Sequence, residues 1–203
     1  MFRLWILPGS ISVLMTFFLL TSDLFPRSAF AQANSIPADQ LPQFTPDGSL
    51  REPSNWETWV MVGASTGLSY NAPAAAPAAG AAPGTFHNVY MQPWAYREFM
   101  KTGVFPERTM LVLSFFDASR KSAPAKAGFY EGDRVPDIDI HLKRKGIDQT
   151  GWAFFGFTDG AAVGGKLPSS ASCYSCHATE AAHDNVFTQF YPFLRTRLAS
   201  ARH

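Results

Sequence analysis

Thr109 to Phe116 reads TMLVLSFF, an unbroken run of aliphatic, hydroxyl-bearing and aromatic side chains without glycine or proline. Such residues suit a pleated, well-buried surface, so the stretch predicts a strand near the centre of a sheet. The period of two places Leu111, Leu113 and Phe115 on one face. Upstream, Thr85 to Met91 (TFHNVYM) alternates in the same manner and predicts a second strand. Between the two, Pro93 suits the first position of a helix, and WAYREFMKT continues it until Gly103 stops it.

Downstream, Val135 to Leu142 predicts a strand whose polar residues alternate outward, and Trp152 to Thr158 (WAFFGFT) another. A glycine-rich loop is expected from there to Pro168, before a C-terminal helical segment. Trp56 to Gly63 (WETWVMVG) begins helical and then runs extended. The sum is an α+β fold, a β-rich antiparallel sheet packed with a few helices.

The ends of the chain carry different signals. Arg3 precedes the apolar stretch Ile11 to Leu20, and Ala29 and Ala31 supply the small residues of a cleavage site. That pattern predicts a secretory signal peptide over residues 1–31 and a periplasmic product. Residues 32–54 are polar and proline-rich and read as an N-terminal arm. Residues 55–203 then form the functional domain, interrupted at 71–84 by an Ala/Pro/Gly surface loop whose prolines forbid a continuous helix. About 170 residues follow the signal, enough for one full core. The net charge of +1 excludes the basic surface of a nucleic-acid binder. Eighteen Phe, 6 Tyr and 5 Trp are well suited to line a large apolar pocket.

Both cysteines fall in CYSCH, Cys173 to His177. C-x-x-C-H is the attachment signature of c-type haem: two thioethers pin the porphyrin, and the following imidazole is held beneath the iron. A redox disulfide normally opens a helix beside a βαβ pattern, which this chain lacks, and structural zinc wants four N/S ligands. The motif therefore predicts one covalent haem c, with His177 as the metal ligand. His183 reads as a solvated helix residue, His203 as part of a loose terminus, and His141 as a surface residue ahead of Lys143, Arg144 and Lys145. Met61, Met91, Met100 and Met110 read as packing, although any of them could close a His/Met haem.

The combination of WVMVG, HNVYMQPWAYREFMKTGVFPERT, GWAFFGF and CYSCHATEAAHDNVFTQFYP resembles the cytochrome P-460 family, which includes the cytochromes c′-beta. The resemblance extends from about Trp56 to Leu194. It implies a β-rich fold, a homodimer, and a five-coordinate haem with an open distal face. One branch of the family oxidises hydroxylamine with a haem cross-linked to a lysine on a strand. The other lacks the cross-link and binds gases such as NO in an apolar pocket.

Leu113 occupies the lysine position, so no cross-link can form from it; Lys121 and Lys126 lie outside the strand. Relatives with the cross-link carry a carboxylate shortly before the haem motif, where Ala161 to Ser172 has none and Asp159 is the nearest. His87 matches a position where relatives often carry arginine. It could donate to a bound ligand, ligate the iron, or be satisfied elsewhere. The resemblance therefore implies a cytochrome that binds small nitrogen oxides over Leu111, Leu113 and Phe115. Hydroxylamine oxidation and electron transfer with a sixth protein ligand stand as alternatives.

Overall fold

Residues 35–68, 84–119, 124, 126–133 and 137–201 are described by a computed structural model. Its strands are β1 (Leu50–Arg51), β2 (Val60–Thr66), β3 (Thr85–Met91), β4 (Met110–Ser119), β5 (Tyr130–Glu131), β6 (Asp137–Lys143), β7 (Trp152–Phe157) and β8 (Val163–Lys166). Seven of them form one path in the order β1-β8-β7-β6-β4-β3-β2, with β5 pairing to β4, and every pairing is antiparallel. The helices are α1 (Pro93–Thr102), α2 (Ser172–Glu180) and α3 (Pro192–Ser200). This is the expected α+β architecture, with TMLVLSFF in the interior of the sheet.

The helix start and stop signals act as expected. Pro93 opens α1, and Gly103, at φ 76°, closes it through its N–H to the Phe99 carbonyl. The predicted signal peptide, residues 71–83 of the Ala/Pro/Gly loop, Lys121, Val135 and His203 lie outside the described residues. Among the described residues, no helix is long and apolar enough to cross a membrane.

One expectation fails within the sheet. The glycine-rich stretch before Pro168 is not all loop, because Val163–Lys166 pairs with both β7 and β1. Its glycines permit close approach. A Cβ on Gly164 would stand 2.6 Å from the Phe157 ring and 2.7 Å from the Gly156 carbonyl. A composition that looks like a loop is here a strand paired on both sides and pressed against an aromatic neighbour. The N-terminal arm contributes β1, with Leu50 fully buried.

Both faces of the sheet are covered. Met110, Val112, Ile138, Ile140, Leu142 and Phe155 pack on one side with Leu50, Trp56 and Trp59. On the other side Met91 and Leu111 join Ala95 and Phe99 of α1 and Leu194 of α3 in a second core. Registers align three rungs on this second face: Met91, Leu111, His141 and Phe154; then Val89, Leu113, Asp139 and Gly156; then His87, Phe115 and Asp137. These rungs position the site.

Candidate functional site

Helix α2 sets two thiols and an imidazole on one side. Positions three and four apart on a helix share a face, so Cys173, Cys176 and His177 all reach the same cavity. The helix is tied down by Tyr174, whose hydroxyl donates to the Leu167 carbonyl at 3.2 Å and lies 3.4 Å from the Phe154 N–H. Burial pushes the Cys173 thiol up, the reverse of the activated thiolate that a redox pair needs.

His177 is held with care. Its Nδ1 lies 2.7 Å from the Asn185 carbonyl, so Nδ1–H donates and Nε2 keeps a free lone pair. The rings of His141, Phe154 and Phe187 stand 4.8, 4.8 and 4.4 Å from the imidazole. Burial lowers its pKa, which favours the neutral form that a metal requires.

The cavity before this helix measures about 490 Å³, inside the ~300–1,000 Å³ range of cofactor pockets. The sheet wall comprises Leu111, Leu113, Phe115, Val89 and His87, so the whole set of residues singled out from the sequence meets at one cavity. Phe187, Phe190 and Tyr191 close the other side. Gly63 is needed there, since a Cβ would collide with the Tyr191 ring. Two thiols at the rim, a neutral imidazole aimed inward and an apolar slot form a donor set that fits a haem. Cys173, Cys176 and His177 are the residues that could hold it.

His87 sits on the third rung with its Nε2 2.9 Å from the Thr85 hydroxyl and its ring 5.0 Å from Phe115. Burial lowers its pKa as well. No lysine and no methionine is among the described residues that line the cavity. Met91 and Met110 are core residues and Met100 packs against the cluster of Met91, whereas Met61, expected to pack, is 47% exposed. Lys126 is exposed and does not line the cavity.

Two histidines depart from expectation. His141 is buried, stacked on Phe154 at 4.2 Å with 7° between the rings and flanked by Trp152 at 4.3 Å. The basic residues behind it belong to the strand end and do not carry His141 to the surface. Burial, then the nearby His177, hold its pKa well below the usual imidazole range, and its Nε2 has no hydrogen-bond partner among the described residues. His183 lies beyond α2, with Nε2 3.1 Å from the Gly103 carbonyl and its ring against Phe99 and Phe105. It serves as a packed bracket between loops.

Asp139 was missed for a related reason. Alternation along β6 marks Asp137, Asp139 and His141 as one face, and polarity made that face look solvated. The C-terminal segment covers it, so Asp139 lines the cavity while Asp159 remains exposed outside. Burial, then the charge of Asp137, raise the Asp139 pKa. The folded state therefore binds this proton more tightly than the unfolded one, and stability falls as pH rises from the ordinary carboxylate value through the raised one. Replacing it, Asp139→Asn, is expected to stabilise the protein at neutral pH and to lose that advantage below about pH 4. Urea titrations at both pH values check this; equal gains at both would contradict it.

No curated protein matches the chain with significant similarity. The family model described as Cytochrome P460 matches residues 53–188, which include β2, the sheet wall and the C-x-x-C-H helix. The match spans most of the chain, and the chain is accordingly a c-type haem cytochrome that belongs to the cytochrome P460 family.

Proposed function

We propose that this cytochrome attaches its haem through Cys173 and Cys176, takes His177 as axial ligand, and binds small nitrogen oxides such as NO on the opposite side. The observation that carries the reading is the sheet wall: Val89, Leu111, Leu113 and Phe115 face the cavity, and no lysine or methionine lines it among the described residues. Such a wall disfavours bound water and anions and tolerates neutral diatomics. When bound, the haem supplies the iron that takes up the ligand; the chain supplies the orientation of His177 and the dry wall. His87 lines the same cavity, and its hydrogen bond with the Thr85 hydroxyl speaks against a role as iron ligand.

Export to the periplasm belongs to this reading, supported by Arg3, the apolar stretch behind it and Ala29-Phe30-Ala31. A homodimer belongs to it too. Strand β2 is the last on the sheet path, and Met61, Phe190 and Phe193 are exposed nearby. Hydroxylamine oxidation is the second reading. Asp139 favours it, because that reaction releases protons and a carboxylate inside the cavity could accept them.

The test is the absorption spectrum of the protein, produced with c-haem maturation, in its ferric and ferrous states and with NO. A high-spin ferric haem and tight uptake of NO by the ferrous protein are expected. A ferric haem already six-coordinate through protein ligands would sink the proposal. Hydroxylamine turnover above that of free haem c would put the second reading first.

A further inference from the structure

The turn that follows α2 is built from two residues in an unfavourable conformation. Asp184 and Asn185 adopt φ 48° and 57°, both left-handed. That region costs most L-residues ~1–2 kcal/mol each, and Asp and Asn bear it best. Something must hold such a pair in place. The Asp184 carboxylate does so from the sheet: Oδ2 lies 2.5 Å from Lys143 Nζ, and Oδ1 accepts from Trp152 Nε1 at 3.2 Å.

Lys143 and Trp152 are themselves register partners across β6 and β7, and the ammonium lies 5.5 Å from the indole ring. The pair is shielded, with side chains 17% and 28% exposed. His183 and Val186 bracket the turn, Val186 N–H donating to the His183 carbonyl at 2.8 Å. What the turn presents is the Asn185 carbonyl, 2.7 Å from His177 Nδ1. The sheet thus grips a strained turn, and the turn grips the imidazole.

We infer that Asp184 is a positioning residue for His177: through Lys143 and Trp152 it locks the carbonyl that orients the imidazole and sets its strength as a ligand. A carbonyl that accepts the Nδ1–H proton fixes the ring and raises its basicity. A stronger axial donor favours the ferric state and lowers the reduction potential. The inference rests on the reading of His177 as the iron ligand.

Asp184→Asn and Lys143→Met, each in the haem-loaded protein, test it. Asparagine tolerates the left-handed backbone and keeps an oxygen for Trp152, so the fold survives while the bond to the ammonium weakens. The iron–histidine stretching band of the ferrous protein, read by resonance Raman, is expected to move to lower frequency in both variants. The reduction potential is expected to rise in both. The double variant should move no further than either single one, because both remove the same link.

An unmoved band and potential in both variants would overturn the inference. A lowered melting temperature with an unmoved band would overturn it as well, and would leave Asp184 a purely structural residue. Failure of the underlying reading looks different: the unaltered protein would then show no iron–histidine band at all, or His177→Gly would leave its spectrum unchanged.

Discussion

A protein carrying Cys173→Ala and Cys176→Ala is expected to give up all of its haem to acidified organic solvent, whereas the unaltered protein keeps all of it. The geometry behind this is simple. Both sulfurs project from one face of α2 into a cavity of about 490 Å³, and no other cysteine exists in the chain. What remains after the double replacement is a largely apolar slot and the His177 imidazole as ligand, which hold a haem by equilibrium binding alone. The loss also reaches stability. A ligand present at about 1,000 times its Kd contributes roughly 4 kcal/mol, and a covalently tethered one cannot be diluted away. In a protein of this size that corresponds to a fall in melting temperature of about 8–16 °C. The cavity divides the sheet from α2 and the segment of Phe187 and Tyr191, so an emptied slot weakens contacts on both sides. Solvent extraction of one sample and calorimetry of an untreated one give the two numbers. Haem that survives extraction in the double variant would mean another residue carries the bond, and the assignment of α2 as the attachment helix would fall.

The sheet was legible where its strands are buried on both faces. TMLVLSFF and WAFFGF have no break and no helical period, and they became the interior strands β4 and β7. Strand β8 was not legible, since Gly164 and Gly165 carry no side chain to alternate and glycine ordinarily marks a turn. The reason for the glycine at 164 lies in Phe157, a residue of another strand. The cavity wall shows the same limit. Alternation gives two faces of a strand but never says what covers them, so the polar face of β6 looked solvated. In the fold Asp139 and His141 of that face line the cavity. The spacing of Cys173, Cys176 and His177 needed only a helix to bring them together, and that local geometry was readable. The partner of His177 was harder. Asp184-Asn185 is a pair that tolerates positive φ, and this is the one signal in the sequence that a sharp turn follows the helix. That its carbonyl meets His177, and that Lys143 and Trp152 hold it, depends on contacts 41 and 32 residues apart.

Leu113→Lys, with its amine left free of the haem, is expected to turn the site from one that rejects anions into one that takes them, lowering the azide Kd of the ferric protein about 30-fold. Leu113 stands on the middle rung, between Val89 and Asp139, with its side chain on the cavity. An ammonium there meets a bound anion across little water. Two unit charges about 4 Å apart attract by roughly 4 kcal/mol at an effective dielectric of 20. Part of this is lost to desolvation of the lysine and part to Asp139, directly across the register. A net gain of about 2 kcal/mol is left, which is the factor of roughly 30. Asp139 supplies the control. In the double variant Leu113→Lys, Asp139→Asn the ammonium has no carboxylate opposite it, so azide should bind more tightly still. NO is neutral and gains nothing from the charge; the ammonium makes the wall wetter, and NO should bind the ferrous variant less tightly than the unaltered protein. Azide and NO titrations on the same preparations separate the two effects. If azide affinity is unchanged in both variants, the Leu113 side chain does not face the ligand, and the sheet wall loses its claim to set what the haem binds.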